Sequence, residues 1–226
     1  MDLVNKIRGI IPPMTTPFTA NGAFDEAALR QDVRYLLETA GVHGLAVTGS
    51  TGEGHAVTAD ESRLITASAI EEAAGRVPVI TGIITNSTKE AIARGKAGGD
   101  IGVAALQVTP VHYLFRPNDE AMKEHFAAIS AETGIPVIIY NVVPWSYLST
   151  ELLTEIISEV DGVIGVKQSA GDLKLMADLC ISLRDKGKVI AATDALLYPA
   201  FALGAEASIA AILTAVPELL VQLWNC

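Results

Sequence analysis

Short apolar runs alternate with longer amphipathic stretches along the chain, the pattern of parallel strands buried on both faces and of the helices that cross between them. Runs rich in Val, Ile, Leu or Ala predict eight strands, Gly9–Met14, His43–Thr48, Val77–Gly82, Val103–Val108, Pro136–Tyr140, Gly162–Lys167, Lys188–Ala192 and Ala207–Ile212. Helical spacing of apolar positions recurs over Asp25–Thr39, Ala59–Ala74, Ser87–Ala97, Asn118–Glu132, Ser149–Glu159, Asp172–Arg184 and Asp194–Leu203, several opening on a capping residue such as Ser87, Asn118 or Ser149. Repeated strand-then-helix units close into an eight-stranded barrel or open into a doubly wound sheet. Their even spacing of roughly 25–35 residues favours an α/β fold of the (β/α)8 TIM-barrel type. A dinucleotide-binding sheet would want Gly-x-Gly-x-x-Gly straight after an early strand, and none stands there. After the eighth strand, Val216–Cys226 begins an amphipathic helix bearing Leu219, Leu220, Leu223 and Trp224 and then stops. Such a stripe needs a partner surface, so either the eighth helix packs on the barrel in abbreviated form or a further segment completes it.

Composition narrows this picture. The 226 residues, half of them apolar, can bury one substantial core but are short for two ordinary domains, and no linker, low-complexity stretch or charge block divides residues 1–226. A net charge of -10 without any basic run argues against nucleic acid. Only Cys180 and Cys226 are present, too few for a disulfide framework or a zinc site, so a reducing cytoplasm is expected. Residues 1–11 carry mixed charges and too short an apolar stretch for a signal peptide, and no run of about 18 apolar residues follows, so no membrane association is expected.

In such a barrel the reactive groups lie where strands end and the loops to the next helices begin. The second strand runs into Thr48-Gly49-Ser50-Thr51-Gly52-Glu53, whose glycines permit close backbone approach while hydroxyls and amides offer donors to a carboxylate; a Gly-rich turn with a capping Ser or Thr would look the same. The fifth strand delivers the phenol of Tyr140, which can pass protons or simply pack. The sixth ends its apolar run on Lys167. Burial there would lower the amine's pKa and free it as a nucleophile towards carbonyl carbon, whereas a lysine snorkelling to solvent is the plainer alternative.

Together these motifs resemble the dihydrodipicolinate synthase and N-acetylneuraminate lyase family of class I, pyruvate-handling aldolases. The resemblance covers nearly the whole chain and rests on Pro13-Met14-Thr15-Thr16-Pro17-Phe18, Gly49-Ser50-Thr51-Gly52-Glu53, Val108-Thr109-Pro110, Tyr140-Asn141 and Gly165-Val166-Lys167, in matching order and spacing. It implies that Lys167 forms an imine with a 2-oxo acid, that Ser50, Thr51 and the neighbouring amide of Gly52 hold its carboxylate, that Tyr140 is the acid/base, and that Ile209 lines the pocket. It further implies a relay through Ser50 and a second aromatic residue near the fourth strand, Tyr113 or its rival His112, often reaching a neighbouring subunit's site in a homo-oligomer, a tetramer or a dimer. No metal or other cofactor is required, because the protonated imine is itself the electron sink.

Departures from the pattern bear on the substrate. Members that condense pyruvate with aspartate semialdehyde carry an arginine soon after Tyr-Asn; here Trp145 and Tyr147 occupy Val142-Val143-Pro144-Trp145-Ser146-Tyr147. Aromatic rings in place of a bidentate cation point to an apolar or aromatic aldehyde, unless those rings face a dimer contact. Asp194 reads as a helix cap rather than a ligand for substrate hydroxyls. Family members also add a helical segment after the barrel, which this sequence lacks. Two other classes stay in view. A retired, carboxylate-binding barrel would be expected to lose the lysine or tyrosine, and a metal barrel would want His, Asp or Glu at several strand ends, where His43, His55, His112 and His125 do not fall.

Overall fold

A computed structural model describes residues 3–226 and contains one eight-stranded, wholly parallel sheet. Its strands are β1 (Gly9–Ile10), β2 (Leu45–Val47), β3 (Val79–Ile83), β4 (Ala105–Val108), β5 (Val137–Asn141), β6 (Val163–Gln168), β7 (Lys188–Ala191) and β8 (Ala207–Ser208), in the spatial order β1-β8-β7-β6-β5-β4-β3-β2. The two ends of the sheet meet: Ile10 O accepts from His43 N at 2.9 Å, Pro12 O from Ala46 N at 3.0 Å, and Ala46 O from Met14 N at 2.8 Å. The result is a TIM-barrel-like (β/α)8 fold, as the pattern of apolar runs leads one to expect. β1 is shorter than expected because Pro12 and Pro13 lack the N–H groups a regular ladder needs. β8 also ends early, at Ser208, although Ile209 N still reaches Ala191 O at 2.9 Å.

The helices are α1 (Glu26–Arg34), which widens into a π-type turn over Tyr35–Ala40, α2 (Ala59–Ala73), α3 (Thr88–Gly99), α4 (Asp119–Thr133), α5 (Thr150–Glu159), α6 (Leu173–Ser182), α7 (Leu197–Leu203), α8 (Ile212–Ala215) and α9 (Pro217–Asn225). The three capping residues act as expected: Ser87, Asn118 and Ser149 accept from the backbone N–H groups of Glu90, Ala121 and Leu152. Part of the last apolar stripe packs on the barrel, while Leu219 stays 61% exposed. Leu220 is buried, Trp224 meets Phe201 edge-on at 5.0 Å and His43 at 6.4 Å, and the Tyr35 hydroxyl donates to the Glu218 carboxylate at 2.5 Å. Among the described residues no helix is long and apolar enough to cross a membrane.

Period-two alternation divides the core. On β5, Val137 and Ile139 face outward into the layer shared with the helices, where Leu106, Phe126 and Ile156 also lie, while Ile138 points inward to meet Ile80, Ala105, Ile190 and Ile209. The same alternation turns Tyr140 and Lys167 inward, because their neighbours Ile139 and Val166 belong to the outer layer.

Candidate active site

The β5–β6 ladder places Tyr140 directly beside Lys167. Lys167 is 4% exposed, so its side chain does not snorkel to solvent, and Nζ lies 3.8 Å from the centroid of the Tyr140 ring. Burial disfavours the charged ammonium and pushes the amine down to about 7. The Tyr140 phenol moves the other way: burial raises it, with a smaller opposing effect from its hydrogen bond to Ser50. That bond joins the Tyr140 hydroxyl and Ser50 Oγ at 3.2 Å, linking the ends of β5 and β2.

The turn that presents Ser50 is forced inward by its sequence. Thr48 and Glu53 adopt positive φ, 53° and 54°, which close the turn tightly at both ends. Gly52 lies so close to β1's extension that a Cβ there would stand 2.8 Å from Met14 O, while a Cβ on Gly54 would collide with the Thr48 carbonyl. Thr16 Oγ1 donates to Gly52 O at 2.6 Å, and Thr48 Oγ1 accepts from Gly82 N at 3.2 Å while lying 2.9 Å from the Thr81 hydroxyl. These contacts leave Ser50 exposed at the tip, Thr51 half-buried and Gly52 buried, with their polar groups gathered at the barrel mouth.

The loop after β5 is bracketed by Asn141, whose fully buried carboxamide accepts from Leu148 N at 2.9 Å and donates to Leu148 O at 3.2 Å. Within that loop Trp145 Nε1 donates to His112 O at 2.8 Å and Ser146 Oγ to Val111 O at 2.8 Å, stitching it to the loop after β4. Trp145 is 64% exposed and lines an open hollow of about 340 Å³ with His112, Tyr113 and Leu114. Tyr113, 68% exposed, stands on that outer surface; His112 Nδ1 lies 2.9 Å from Pro110 O. Tyr147 turns towards β6 instead, its hydroxyl 3.4 Å from Ser169 O, near enough to raise the Tyr140 phenol further. Ile209 is wholly buried in the inner core, and Asp194 caps the start of α8 by accepting from Ile212 N at 3.1 Å.

The structure thus unites Lys167, Tyr140 and Ser50, sets Thr51 and Gly52 in the adjoining turn, brings Tyr147 alongside, and leaves Tyr113 and Trp145 outside. From the sequence, Gln107 receives no role and Asn141 only a place in the Tyr140-Asn141 motif. Gln107 is 1% exposed on β4, on the inward face it shares with Ala105, and alternation along Ala105–Val108 was a signal able to find it. Nothing in the sequence marks the Asn141–Leu148 clamp, which depends on how the loop returns.

Against known proteins, the dihydrodipicolinate synthetase family pattern matches residues 6–226. A 4-hydroxy-tetrahydrodipicolinate synthase of Methanothermobacter thermautotrophicus is 35% identical over 228 residues, covering 97% of this chain and 79% of that protein. Among solved structures, a chloride-inhibited dihydrodipicolinate synthase from Acinetobacter baumannii complexed with pyruvate superposes with a TM-score of 0.92 at 27% identity, over 97% of this chain and 75% of the other. The N-acetylneuraminate lyase of Fusobacterium nucleatum gives 0.90 at 26% identity, over 97% and 75%.

Proposed function

This chain belongs to the dihydrodipicolinate synthetase family, and on that premise we propose that it is a cytoplasmic class I lyase or aldolase that makes or breaks a carbon–carbon bond between pyruvate and an aldehyde. The observation that carries the reading is the desolvated Lys167 amine lying over the Tyr140 ring, whose hydroxyl meets Ser50. The Nζ lone pair attacks C2 of the 2-oxo acid, and the carbonyl oxygen takes a proton to give a carbinolamine. Loss of water leaves the protonated imine, and loss of a C3 proton gives an enamine. That carbon adds to the aldehyde, whose oxygen takes a proton, and water at C2 then releases product and lysine; cleavage runs the same steps backwards. Tyr140, a phenol that burial raises further above neutral pH, supplies and recovers the proton through Ser50. The hydroxyls and amides of Ser50, Thr51 and Gly52 hold the carboxylate, and Ile209 closes the apolar floor. Tyr113, with His112 as its rival, completes the relay from a neighbouring copy in a dimer or tetramer, which suits its exposure here. The imine nitrogen is the electron sink, so the scheme uses no metal.

The aldehyde is uncharged or aromatic, because no arginine stands between Tyr140 and Tyr147 to pair with a second carboxylate. Relatives named 4-hydroxy-tetrahydrodipicolinate synthase favour a second reading, in which the partner is aspartate semialdehyde. Rates of pyruvate condensation across an aldehyde panel separate the two. We expect kcat/KM for aspartate semialdehyde at least about a hundredfold below that of the best uncharged or aromatic aldehyde, losing a charge-assisted contact worth a few kcal/mol at about 1.4 kcal/mol per tenfold. Efficient use of aspartate semialdehyde would put the second reading first.

A further inference from the structure

Strand β4 carries one polar side chain, Gln107, into the barrel interior, below the level of Tyr140 and Lys167. Ala105, on the same inward face, packs with Ile80 and Ile138, whereas Gln107, 1% exposed, has an Oε1 with no hydrogen-bond partner among the described residues. A methionine would fill that volume without leaving an unpaired atom, so the amide is costly where it stands. Its surroundings show what it faces. Gly82 lies opposite Gln107 across the β3–β4 ladder, and a Cβ on Gly82 would stand 2.5 Å from Thr48 O and 2.7 Å from Gly49 N. The missing side chain lets the end of β2 lean over β3, towards β4. There Gln107 Nε2 comes within 3.5 Å of the place a Gly49 Cβ would take. The carboxamide therefore lies directly beneath the turn that presents Ser50, Thr51 and Gly52, one inward position below the level of Tyr140 and Lys167 on the ladder.

Resting on the imine reading above, we propose that Gln107 is a specificity-determining residue for the 2-oxo acid, its carboxamide supporting the turn from below and adding an N–H to the donors that hold the substrate carboxylate. Rotation about the terminal bond can present Nε2 to the ligand, and the hydrogen bond it makes to a carboxylate is charge-assisted.

The test uses the full chain, Gln107→Met and Gln107→Glu, with pyruvate as the probe. Two quantities are read: the calorimetric Kd for pyruvate, and the pyruvate concentration giving half-maximal borohydride labelling of Lys167. Gln107→Met should weaken both about tenfold or more, while label at saturation and the melting temperature stay at or above wild type, since an unpaired buried polar atom is removed. Gln107→Glu should weaken them about a hundredfold at pH 8, less as the pH falls and the new carboxyl is protonated. Wild-type affinity in either variant overturns the proposal, as does a melting-temperature loss in Gln107→Met with affinity unchanged. Absence of label in wild type sinks the imine reading, and the calorimetric Kd then still decides Gln107. Failure of wild type to bind pyruvate at all overturns both.

Discussion

Lys167 sits where a cation is expensive and a neutral amine is not. With its pKa near 7, about half the amine is free at neutral pH, against roughly one part in several thousand for an exposed lysine titrating near 10.4. The same burial has a cost in stability whose sign is fixed. The folded chain binds fewer protons at Lys167 than the unfolded chain between about pH 7 and pH 10.5, so this residue's contribution rises with pH across that window and is lowest, and constant, below about pH 7. Lys167→Met should therefore raise the unfolding free energy at pH 7 by on the order of a few kcal/mol, with the gain fading by about pH 10.5. Denaturant midpoints at the two pH values check this, and an equal or lower stability of the variant at pH 7 would contradict it.

The site depends on how three strands end. β2 can lean over β3 because Gly82 has no side chain, β5 and β6 pair so that phenol and amine share one face, and Asn141 clamps the following loop. Gly82→Ala would press a Cβ against the backbone of Thr48 and Gly49, atoms that cannot yield by changing rotamer. It should cost about 1–3 kcal/mol in thermal or chemical unfolding and lower kcat/KM at least about tenfold by displacing Ser50. An active variant with wild-type kinetics would show that the turn is not held this way. Much of this is legible in the sequence. The apolar run closing on Lys167 fixes both the strand and, through its period of two, the side on which the lysine emerges. The end of β1 is less legible, since Pro12 and Pro13 break the ladder without breaking the apolar pattern. Trp145, which the sequence places beside the substrate unless it faces a dimer contact, stands exposed with its indole N–H on the His112 carbonyl, a long-range pairing that spacing does not encode.

For the molecule as a whole, one end of the barrel is filled by Ile7, Ile11, Ile80 and other apolar side chains, while the opposite end gathers Ser50, Gln107, Tyr140 and Lys167. Apolar filling and the candidate polar site are thereby separated along the barrel axis. A net charge of -10 repels anions at long range, so under the proposed function affinity for a 2-oxo acid comes from local donors in the Gly49–Glu53 turn rather than from steering. All of this stands on covalent chemistry at one amine. The direct measurement is to incubate the protein with pyruvate, reduce with borohydride and locate the adduct by peptide mass spectrometry, beside Lys167→Ala. The account predicts a reduced pyruvyl group on Lys167 in the wild type and none in the variant; label on a different lysine, or none in the wild type, would contradict it.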